Sequence, residues 1–236
     1  MNKSELFKSR EQRILAAALS TARSKGALDF RMADVAREAE CSVGTLYGHF
    51  LSKEDMMAAL VLTALDQRQQ VMVEIGQLAL TPMEQFVVLL MSERARWTKD
   101  EVLAQLEMLV GYTELWRRAA DKRQLALRES MAMLTTALKT ILVNAAEEQG
   151  VKLANVELLV ERCRALVLGG QIYASRLTLA PAAQLQDDAA LMIPLMTLLQ
   201  QAGLSVPEGD WLSRCSEGLL VWADRMDAPV MTDTAA

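Results

Sequence analysis

A nine-residue stretch near the N-terminus places two glycines inside a segment that otherwise has a helical pattern. The stretch reads Ser42-Val43-Gly44-Thr45-Leu46-Tyr47-Gly48-His49-Phe50. Leu46 and Phe50 are four residues apart and would share a buried face. Gly44 and Gly48 each cost roughly 1 kcal/mol in a helix interior. A helix that lies against a nucleic acid accommodates them, because the missing side chains allow its backbone to approach closely.

Several side chains in and near this stretch could contact DNA. Tyr47, His49 and Lys53 can donate hydrogen bonds to phosphate oxygens. Thr45 offers a hydroxyl and a methyl group, which suit a phosphate or a thymine. Arg31 could reach a phosphate or a guanine edge. The alternative for His49 is a surface histidine with no contact to DNA. The set of candidate DNA-binding residues comprises Arg31, Ser42, Val43, Gly44, Thr45, Tyr47, Gly48, His49 and Lys53.

Three helices are needed to position these groups. We expect one helix over about 10–25, ended by Gly26, and two short helices over about 32–39 and 43–50, the second capped by Ser42. Short helices bury little surface alone and must pack on the first. The small or apolar residues that would face inward are Val35, Ala36, Ala39, Val43 and Leu46. This is the anatomy of a helix-turn-helix, whose second helix enters the major groove.

These residues resemble a known family. The stretch from Phe30 to Ala36, the run Gly44-Thr45-Leu46-Tyr47-Gly48-His49-Phe50 and Ser52-Lys53-Glu54 are similar to the signature of TetR-type transcriptional regulators. The resemblance covers about the first 60 residues. It implies a homodimer, a three-helix DNA-binding head, and a larger helical body that holds an inducer and the dimer interface. It also implies phosphate contacts from Thr45, Tyr47, His49 and Lys53.

The sequence departs from that pattern at two places. Arg31 replaces the usual Thr or Ser, so its side chain cannot cap the first short helix. Glu40-Cys41 replaces the usual Gly-Val. A left-handed backbone at Glu40 would cost about 1–2 kcal/mol, so either the turn differs or the strain is tolerated. Cys41 could be a redox switch, although a small residue that fills the turn is the simpler interpretation.

Composition limits the other possibilities. The chain has 236 residues, 52% of them hydrophobic, with 11 Gly and 5 Pro, which favours an all-α protein. The single histidine excludes a multi-histidine metal site, and the three cysteines suggest neither disulfides nor a zinc cluster. We therefore expect no metal and no cofactor. The cysteines also fit a reducing compartment, so we expect a cytoplasmic location. Neither an export signal nor a transmembrane segment is expected. Residues 1–53 carry a net charge of +3 and the remainder −8. A basic head could therefore approach a polyanion.

The rest of the chain also has helical periodicity. We expect helices over about 52–79, 82–98, from 100, 113–149, 156–179, 184–201 with a kink at Pro194, and 208–226. At the N-terminus we expect a mobile arm that includes Lys3, Lys8 and Arg10. The predicted domains are a helix-turn-helix head, residues 1–53, and an antiparallel helical body for effector binding and dimerisation, residues 54–236. The role of the 208–226 segment stays open between covering the bundle and extending an interface.

The body holds two groups of candidate residues. Aromatic and methionine side chains could line a pocket for a small apolar effector, although an ordinary core is the alternative; they are Phe86, Trp97, Met108, Tyr112, Trp116 and Tyr173. Small residues at about one-turn spacing, followed by an apolar helix, could form a dimer interface, with packing inside one subunit as the alternative; they are Leu166, Gly169, Gly170, Ala174, Met192, Leu195, Met196 and Leu199.

The sequence therefore predicts a ligand-responsive transcriptional regulator and not an enzyme. A dimer would place two recognition helices in successive major grooves, about 34–36 Å apart, on a near-palindromic operator of double-stranded DNA. A small apolar effector would release it, so repression is expected, although activation stays open. The competing hypotheses are a DNA-bound scaffold for a protein partner and an α-helical enzyme, which has no catalytic constellation to support it.

Overall fold

The computed structural model describes residues 2–110, 116–175 and 189–227. Within these ranges the chain is all-helical and forms ten helices. They are α1 (Lys3–Lys25), α2 (Met32–Glu38), α3 (Val43–His49), α4 (Lys53–Ile75), α5 (Pro82–Lys99), α6 (Glu101–Val110), α7 (Asp121–Glu148), α8 (Val156–Ser175), α9 (Ala189–Gln201) and α10 (Trp211–Asp227). In the part of the chain described, no helix is both long enough and apolar enough to cross a membrane.

The first helix is longer than the sequence predicted. Asn2 caps it: the Asn2 side chain accepts a hydrogen bond from the Glu5 amide at 2.9 Å, and the Glu5 carboxylate accepts one from the Asn2 amide at 2.8 Å. This capping box satisfies two amides that a helix start leaves unpaired. Lys3, Lys8 and Arg10 therefore belong to α1, and the prediction of a mobile arm is wrong.

The other predicted helices agree in place and differ at their ends. The side-chain oxygen of Asn155 accepts a hydrogen bond from the Leu158 amide at 2.9 Å and caps α8, which begins at Val156 as predicted. The long helix predicted from Thr113 begins at Asp121 in the structure, after a turn over 117–119, and Thr113 itself lies outside the described residues. The segments 176–188 and 228–236 also lie outside them.

The chain forms two compact units. The first contains Met1–Asp66 and Asp100–Met131, and the second contains Gln67–Lys99 and Ala132–Ala236. The predicted head, residues 1–53, lies wholly in the first unit, which also holds α6 and the start of α7. Helix α7 begins in the first unit and ends in the second.

The first unit is organised by the packing of α1, α2 and α3, as the helix-turn-helix prediction required. The residues that α1 and the following helices bury are Ile14, Ala18, Ala22, Phe30, Val35, Ala36, Leu46 and Phe50, each 3% exposed or less. At the end of α1 the Lys25 ammonium lies 2.7 Å from the Asp34 carboxylate on α2, and this hydrogen bond lowers the pKa of Asp34. Of the residues predicted to face inward, Val35, Ala36 and Leu46 are buried, Ala39 is partly buried, and Val43 is exposed.

The second unit is built around α5. Most of the α5 run from Met83 to Met91 is buried, and the helix packs against α8 and α10. Arg214 of α10 donates a hydrogen bond through Nε to the Glu84 carboxylate at 2.7 Å, and that carboxylate also accepts the Thr81 amide at 2.9 Å. Helix α10 therefore covers α5 and reinforces its first turn, which is the first of the two roles that the sequence left open for residues 208–226.

Candidate nucleic-acid interface

Helix α3 begins as the sequence predicted. Ser42 Oγ accepts a hydrogen bond from the Thr45 amide at 3.0 Å, which is the geometry of an N-cap. The Ser42 and Thr45 hydroxyl oxygens are 2.9 Å apart, so these two groups also bond to each other. Leu46 and Phe50 are fully buried and anchor the helix to the core of the first unit.

The opposite face of α3 is exposed and consists of small and apolar groups. Tyr47 is 53% exposed and Val43 is 40% exposed. Gly44, Gly48 and Ser42 are exposed as well. A Cβ placed on Gly48 would meet no atom within 4 Å, and one on Gly44 would meet only Ser42 Oγ, at 3.7 Å. No neighbour inside the chain therefore requires glycine at either position.

The prediction of a surface imidazole at His49 is wrong. The His49 side chain is 4% exposed, its ring stacks on Phe7 with 4.0 Å between ring centroids, and Nδ1 lies 3.6 Å from Oε2 of Glu11. The reason is the N-terminal extension of α1, which brings Phe7 and Glu11 over the end of α3. We leave His49 out of the DNA contacts proposed below.

Lys53 has contacts inside the first unit. Its ammonium donates a hydrogen bond to the Leu28 carbonyl at 2.5 Å and lies 4.3 Å from the centre of the Phe30 ring. Burial lowers the pKa of Lys53 from its ordinary value. These contacts tie the start of α4 to the turn between α1 and α2, so Lys53 supports the head in addition to any phosphate contact.

The turn between α2 and α3 carries backbone strain. Glu40 has φ of +50°, so the backbone here is left-handed without glycine, which is one of the two possibilities that the sequence left open. The Cys41 amide donates to the Ala36 carbonyl at 2.9 Å, and the Glu40 amide donates to the Arg37 carbonyl at 3.2 Å. This pair of bonds is a Schellman motif, whose left-handed residue is usually glycine. The turn therefore adopts the left-handed conformation and tolerates its cost at Glu40.

Arg31 precedes α2 with an exposed side chain that makes no capping hydrogen bond. The sequence prediction that arginine could not cap this helix is confirmed. The guanidinium stays available to a phosphate or a base edge.

An ion-pair cluster that the sequence analysis missed holds the buried end of α3. Arg123, in the first turn of α7, has Nε 3.0 Å from Oδ1 of Asp55 and Nη2 3.0 Å from Oε1 of Glu11. Nη2 also donates to the His49 carbonyl at 3.2 Å, and the guanidinium lies 4.9 Å from the centre of the Phe50 ring. The side chains of Arg123 and Asp55 are 9% and 1% exposed. One arginine thus connects α1, α3, α4 and α7.

Asp55 completes this arrangement. Its Oδ1 accepts the Ala120 amide and its Oδ2 accepts the Leu51 amide, both at 2.9 Å. Both oxygens of the Asp55 carboxylate are therefore paired with donors. No local pattern in the sequence links Asp55 to Arg123.

The residues predicted to line an effector pocket are distributed over the chain. Phe86 is fully buried in the core of the second unit, while Met108 and Trp116 belong to the first unit and are partly buried. Tyr112 lies outside the described residues, and for Trp97 and Tyr173 only the backbone is described. The structure therefore places Phe86 in an ordinary core position and leaves the pocket a prediction.

The residues predicted to form a dimer interface are mostly used inside the chain. Met192, Leu195, Met196 and Leu199 of α9 are 3% exposed or less, and Leu166 packs against the same core. A Cβ on Gly170 would be 2.6 Å from Cδ2 of Leu191, so that glycine serves packing between α8 and α9. Only the backbone of Ala174 is described. Gly169 alone keeps an exposed position with open space around it.

The exposed apolar residues of these two helices lie on other faces. Leu158 is 46% exposed and Leu168 43% exposed on α8, and Ile193 is 56% exposed on α9. Ala165 and Gly169 are exposed on α8 as well. The prediction erred because periodicity identifies which residues share a face but not which partner covers it.

Comparison with known proteins connects the N-terminal helices to a family and the whole chain to a fold. Residues 14–60 match the model of the bacterial regulatory proteins, tetR family. Comparison with curated proteins gives no match.

Three solved structures illustrate the shared fold. A TetR transcription regulator from Haloarcula marismortui ATCC 43049 has a TM-score of 0.59 at 18% identity, over 83% of this chain and 97% of that chain. The transcriptional regulator FadR from Bacillus subtilis, in complex with stearoyl-CoA, has a TM-score of 0.51 at 18% identity, over 91% and 98%. RolR in complex with resorcinol has a TM-score of 0.59 at 14% identity, over 96% and 97%.

Proposed function

We propose that this chain is a sequence-specific, ligand-responsive transcriptional repressor that acts as a homodimer in the cytoplasm, because residues 14–60 match the model of the bacterial regulatory proteins, tetR family. Its α3 helices enter successive major grooves of a near-palindromic operator. The exposed candidates Arg31, Ser42, Val43, Gly44, Tyr47 and Gly48, with the partly buried Thr45 and Lys53, form the proposed DNA contact surface.

The observation that carries this proposal is the empty space around Gly48. A glycine inside an exposed helix destabilises the chain by about 1 kcal/mol relative to alanine. Packing explains many helix glycines, but here no atom lies within 4 Å of the missing Cβ. Glycine at this position is explained if a surface outside the chain, such as the edge of a major groove, must come close to the α3 backbone.

Gly48→Ala tests the proposal by separating stability from binding. We expect the free energy of unfolding to rise by up to about 1 kcal/mol, because alanine is the better helix former. Affinity for operator DNA should fall about tenfold, because the added methyl group separates two closely packed surfaces. The operator comes from selection of genomic fragments bound by the wild-type protein, and affinity is measured by fluorescence anisotropy.

Gly169→Ala is the matched control, since Gly169 is an exposed helix glycine with equally open space. It should raise stability in the same way and leave DNA affinity unchanged at concentrations where the protein is dimeric. If both variants bind the operator as the wild type does, or if the wild type retains no genomic fragment at low salt, the proposal is wrong.

An effector is expected to act through the body. Two of the similar structures hold small organic molecules, stearoyl-CoA in one and resorcinol in the other. We infer that this chain also binds a small, largely apolar molecule. The start of helix α7 lies beside α3 through Arg123. An effector that favours another position of α7 would therefore weaken the support of α3. Release of bound operator by stearoyl-CoA or by resorcinol would identify the effector class.

A second copy of the chain is proposed to bind the exposed stripe of α8 and α9. Leu158, Leu168 and Ile193 supply apolar area there. Burial of such residues is the main driving force of association. Sedimentation of Leu168→Asp, which places a charge in the stripe, distinguishes a dimer of this kind from one formed elsewhere.

A further inference from the structure

The reading face of α3 carries no group that can form paired hydrogen bonds with a base. Between Cys41 and Ser52 the chain contains no Arg, Lys, Asn, Gln, Asp or Glu. Arginine and lysine are the usual partners of guanine in the major groove, and asparagine and glutamine are those of adenine. A helix without any of them must recognise its site in another way.

The hydroxyl groups of α3 are largely engaged within the helix. Ser42 Oγ caps the Thr45 amide at 3.0 Å, and it also lies 2.9 Å from Thr45 Oγ1. These two hydroxyl groups keep the capacity for single further hydrogen bonds, which can go to a phosphate or to any base and therefore discriminate little between sequences. Tyr47 keeps one exposed hydroxyl, which provides a single hydrogen bond and suits a phosphate.

Val43 is the apolar side chain that remains at the start of this face. It is the first residue of α3 and is 40% exposed, although the sequence pattern had placed it among the inward-facing residues. Its neighbour Gly44 has no side chain, so the isopropyl group of Val43 stands clear of the backbone beside it. The N-terminal residues of a recognition helix are those that contact base edges. The apolar feature of the major groove is the C5 methyl group of thymine.

We propose that α3 reads thymine methyl groups and that Val43 is the residue that determines this specificity. The inference rests on the proposed function, since it concerns the DNA that the same surface binds. Each operator half-site then carries an A·T pair at the position that faces Val43. Arg31, which precedes α2, provides a separate contact and does not alter this assignment.

Replacement of thymine by uracil tests the proposal, because it removes the methyl group and leaves base pairing intact. The probe is a duplex with the sequence of a genomic fragment that the protein selects, with deoxyuridine placed at one thymidine position at a time. At one position in each half-site we expect affinity to fall about fourfold, the contribution of one buried methyl group. Replacement in both half-sites together should lower affinity by roughly tenfold or more.

The protein variant Val43→Ala completes a double-mutant cycle. It should fold normally, since Leu46 and Phe50 supply the buried contacts of α3. Its affinity for the thymine duplex should fall, and its ratio of thymine to uracil affinity at the sensitive position should approach one. Val73→Ala, an exposed valine on α4 that is 65% exposed, is the control and should keep the wild-type ratio.

Two outcomes overturn the proposal while the proposed function stands. In the first, the protein binds its selected fragment and every uracil duplex equally well. In the second, Val43→Ala keeps the full preference for thymine, so that another group must read the methyl. Failure to bind any genomic fragment would instead contradict the proposed function itself.

Discussion

The glycines of α3 and α10 lie in opposite environments. A Cβ on Gly218 of α10 would be 3.1 Å from Cγ2 of Val88 and 3.4 Å from Cδ1 of Leu80, so glycine there allows α10 to pack closely on α5. A Cβ on Gly48 of α3 would meet nothing within 4 Å. Internal packing thus explains one glycine and leaves the other unexplained. The difference teaches that a helix glycine without neighbours points to a surface outside the chain.

The two helices are also held from their buried sides by different contacts. Helix α10 depends on the Arg214–Glu84 pair, in which the Glu84 side chain is 1% exposed. Helix α3 depends on Leu46, Phe50 and the guanidinium of Arg123, which reaches the carbonyl at the end of the helix. If the exposed face of α3 is adapted to a surface outside the chain, the contacts of Leu46, Phe50 and Arg123 on its buried side must hold the helix in place.

Arg123→Met should have the largest effect of the changes considered. It leaves the Asp55 carboxylate, 1% exposed, without its cationic partner and the His49 carbonyl without a donor. Loss of one member of a buried ion pair costs about 3–5 kcal/mol. We expect the free energy of unfolding in urea to fall by that amount, and DNA affinity to fall further than the folded fraction alone explains.

Arg118→Met is the control for this prediction. Arg118 forms a 3.0 Å ion pair with Glu54 in the same region, but its side chain is 70% exposed. Exposed pairs contribute about 0–1 kcal/mol. Equal losses of stability in the two variants would show that the Arg123 cluster contributes no more than a surface ion pair. The proposal that Arg123 holds the buried side of α3 would then be wrong.

Gly218→Ala tests the other half of the comparison. The new methyl group would be 3.1 and 3.3 Å from the two γ carbons of Val88, a side chain that cannot rotate freely away. Overpacking costs about 1–3 kcal/mol, and the better helix propensity of alanine returns about 1 kcal/mol. We therefore expect a net loss of about 1 kcal/mol in thermal or urea unfolding, with DNA affinity of the folded protein unchanged. A gain in stability like that of Gly48→Ala would erase the distinction between the two glycines.

The first unit was largely predictable because short-range signals mark its boundaries. Gly26 ends α1, Ser42 caps α3, and α2 and α3 were each placed to within one residue at their ends. The sequence left two possibilities for the turn at Glu40, a different geometry or a strained left-handed residue, and the structure has the second. Arg123 could not be predicted, because its partners are distant in the chain and no local pattern connects them.

The errors have related physical causes. His49 became buried because α1 extends to Lys3 and carries Phe7, a contact between residues far apart in sequence. On α9, Met192 and Leu195 share the apolar face that the period predicted, but the face is covered by the chain's own helices. Periodicity gives the direction of a side chain relative to its helix, whereas the identity of the covering neighbour depends on the tertiary packing.

The turn that leads into α3 provides the smallest and most specific prediction. Three helices end in the same pair of backbone hydrogen bonds; Gly150 and Gly203 hold the left-handed position in two of them, and Glu40 holds it before α3. A side chain in this conformation costs about 1–2 kcal/mol. Glu40→Gly removes this cost, but glycine also has more freedom in the unfolded chain, which offsets part of the gain. The free energy of unfolding should therefore rise by up to about 1 kcal/mol.

Gly150→Ala is the reverse experiment, since a Cβ there would meet no atom within 4 Å and only the backbone conformation opposes it. It should lower the free energy of unfolding by about 1 kcal/mol. Opposite shifts of similar size in urea unfolding would show that the strain before α3 is purely conformational. If Glu40→Gly instead destabilises the chain, the Glu40 side chain makes a stabilising contribution that outweighs its backbone strain. The turn before α3 would then be stabilised by a side-chain contact, as the buried side of α3 is by Arg123.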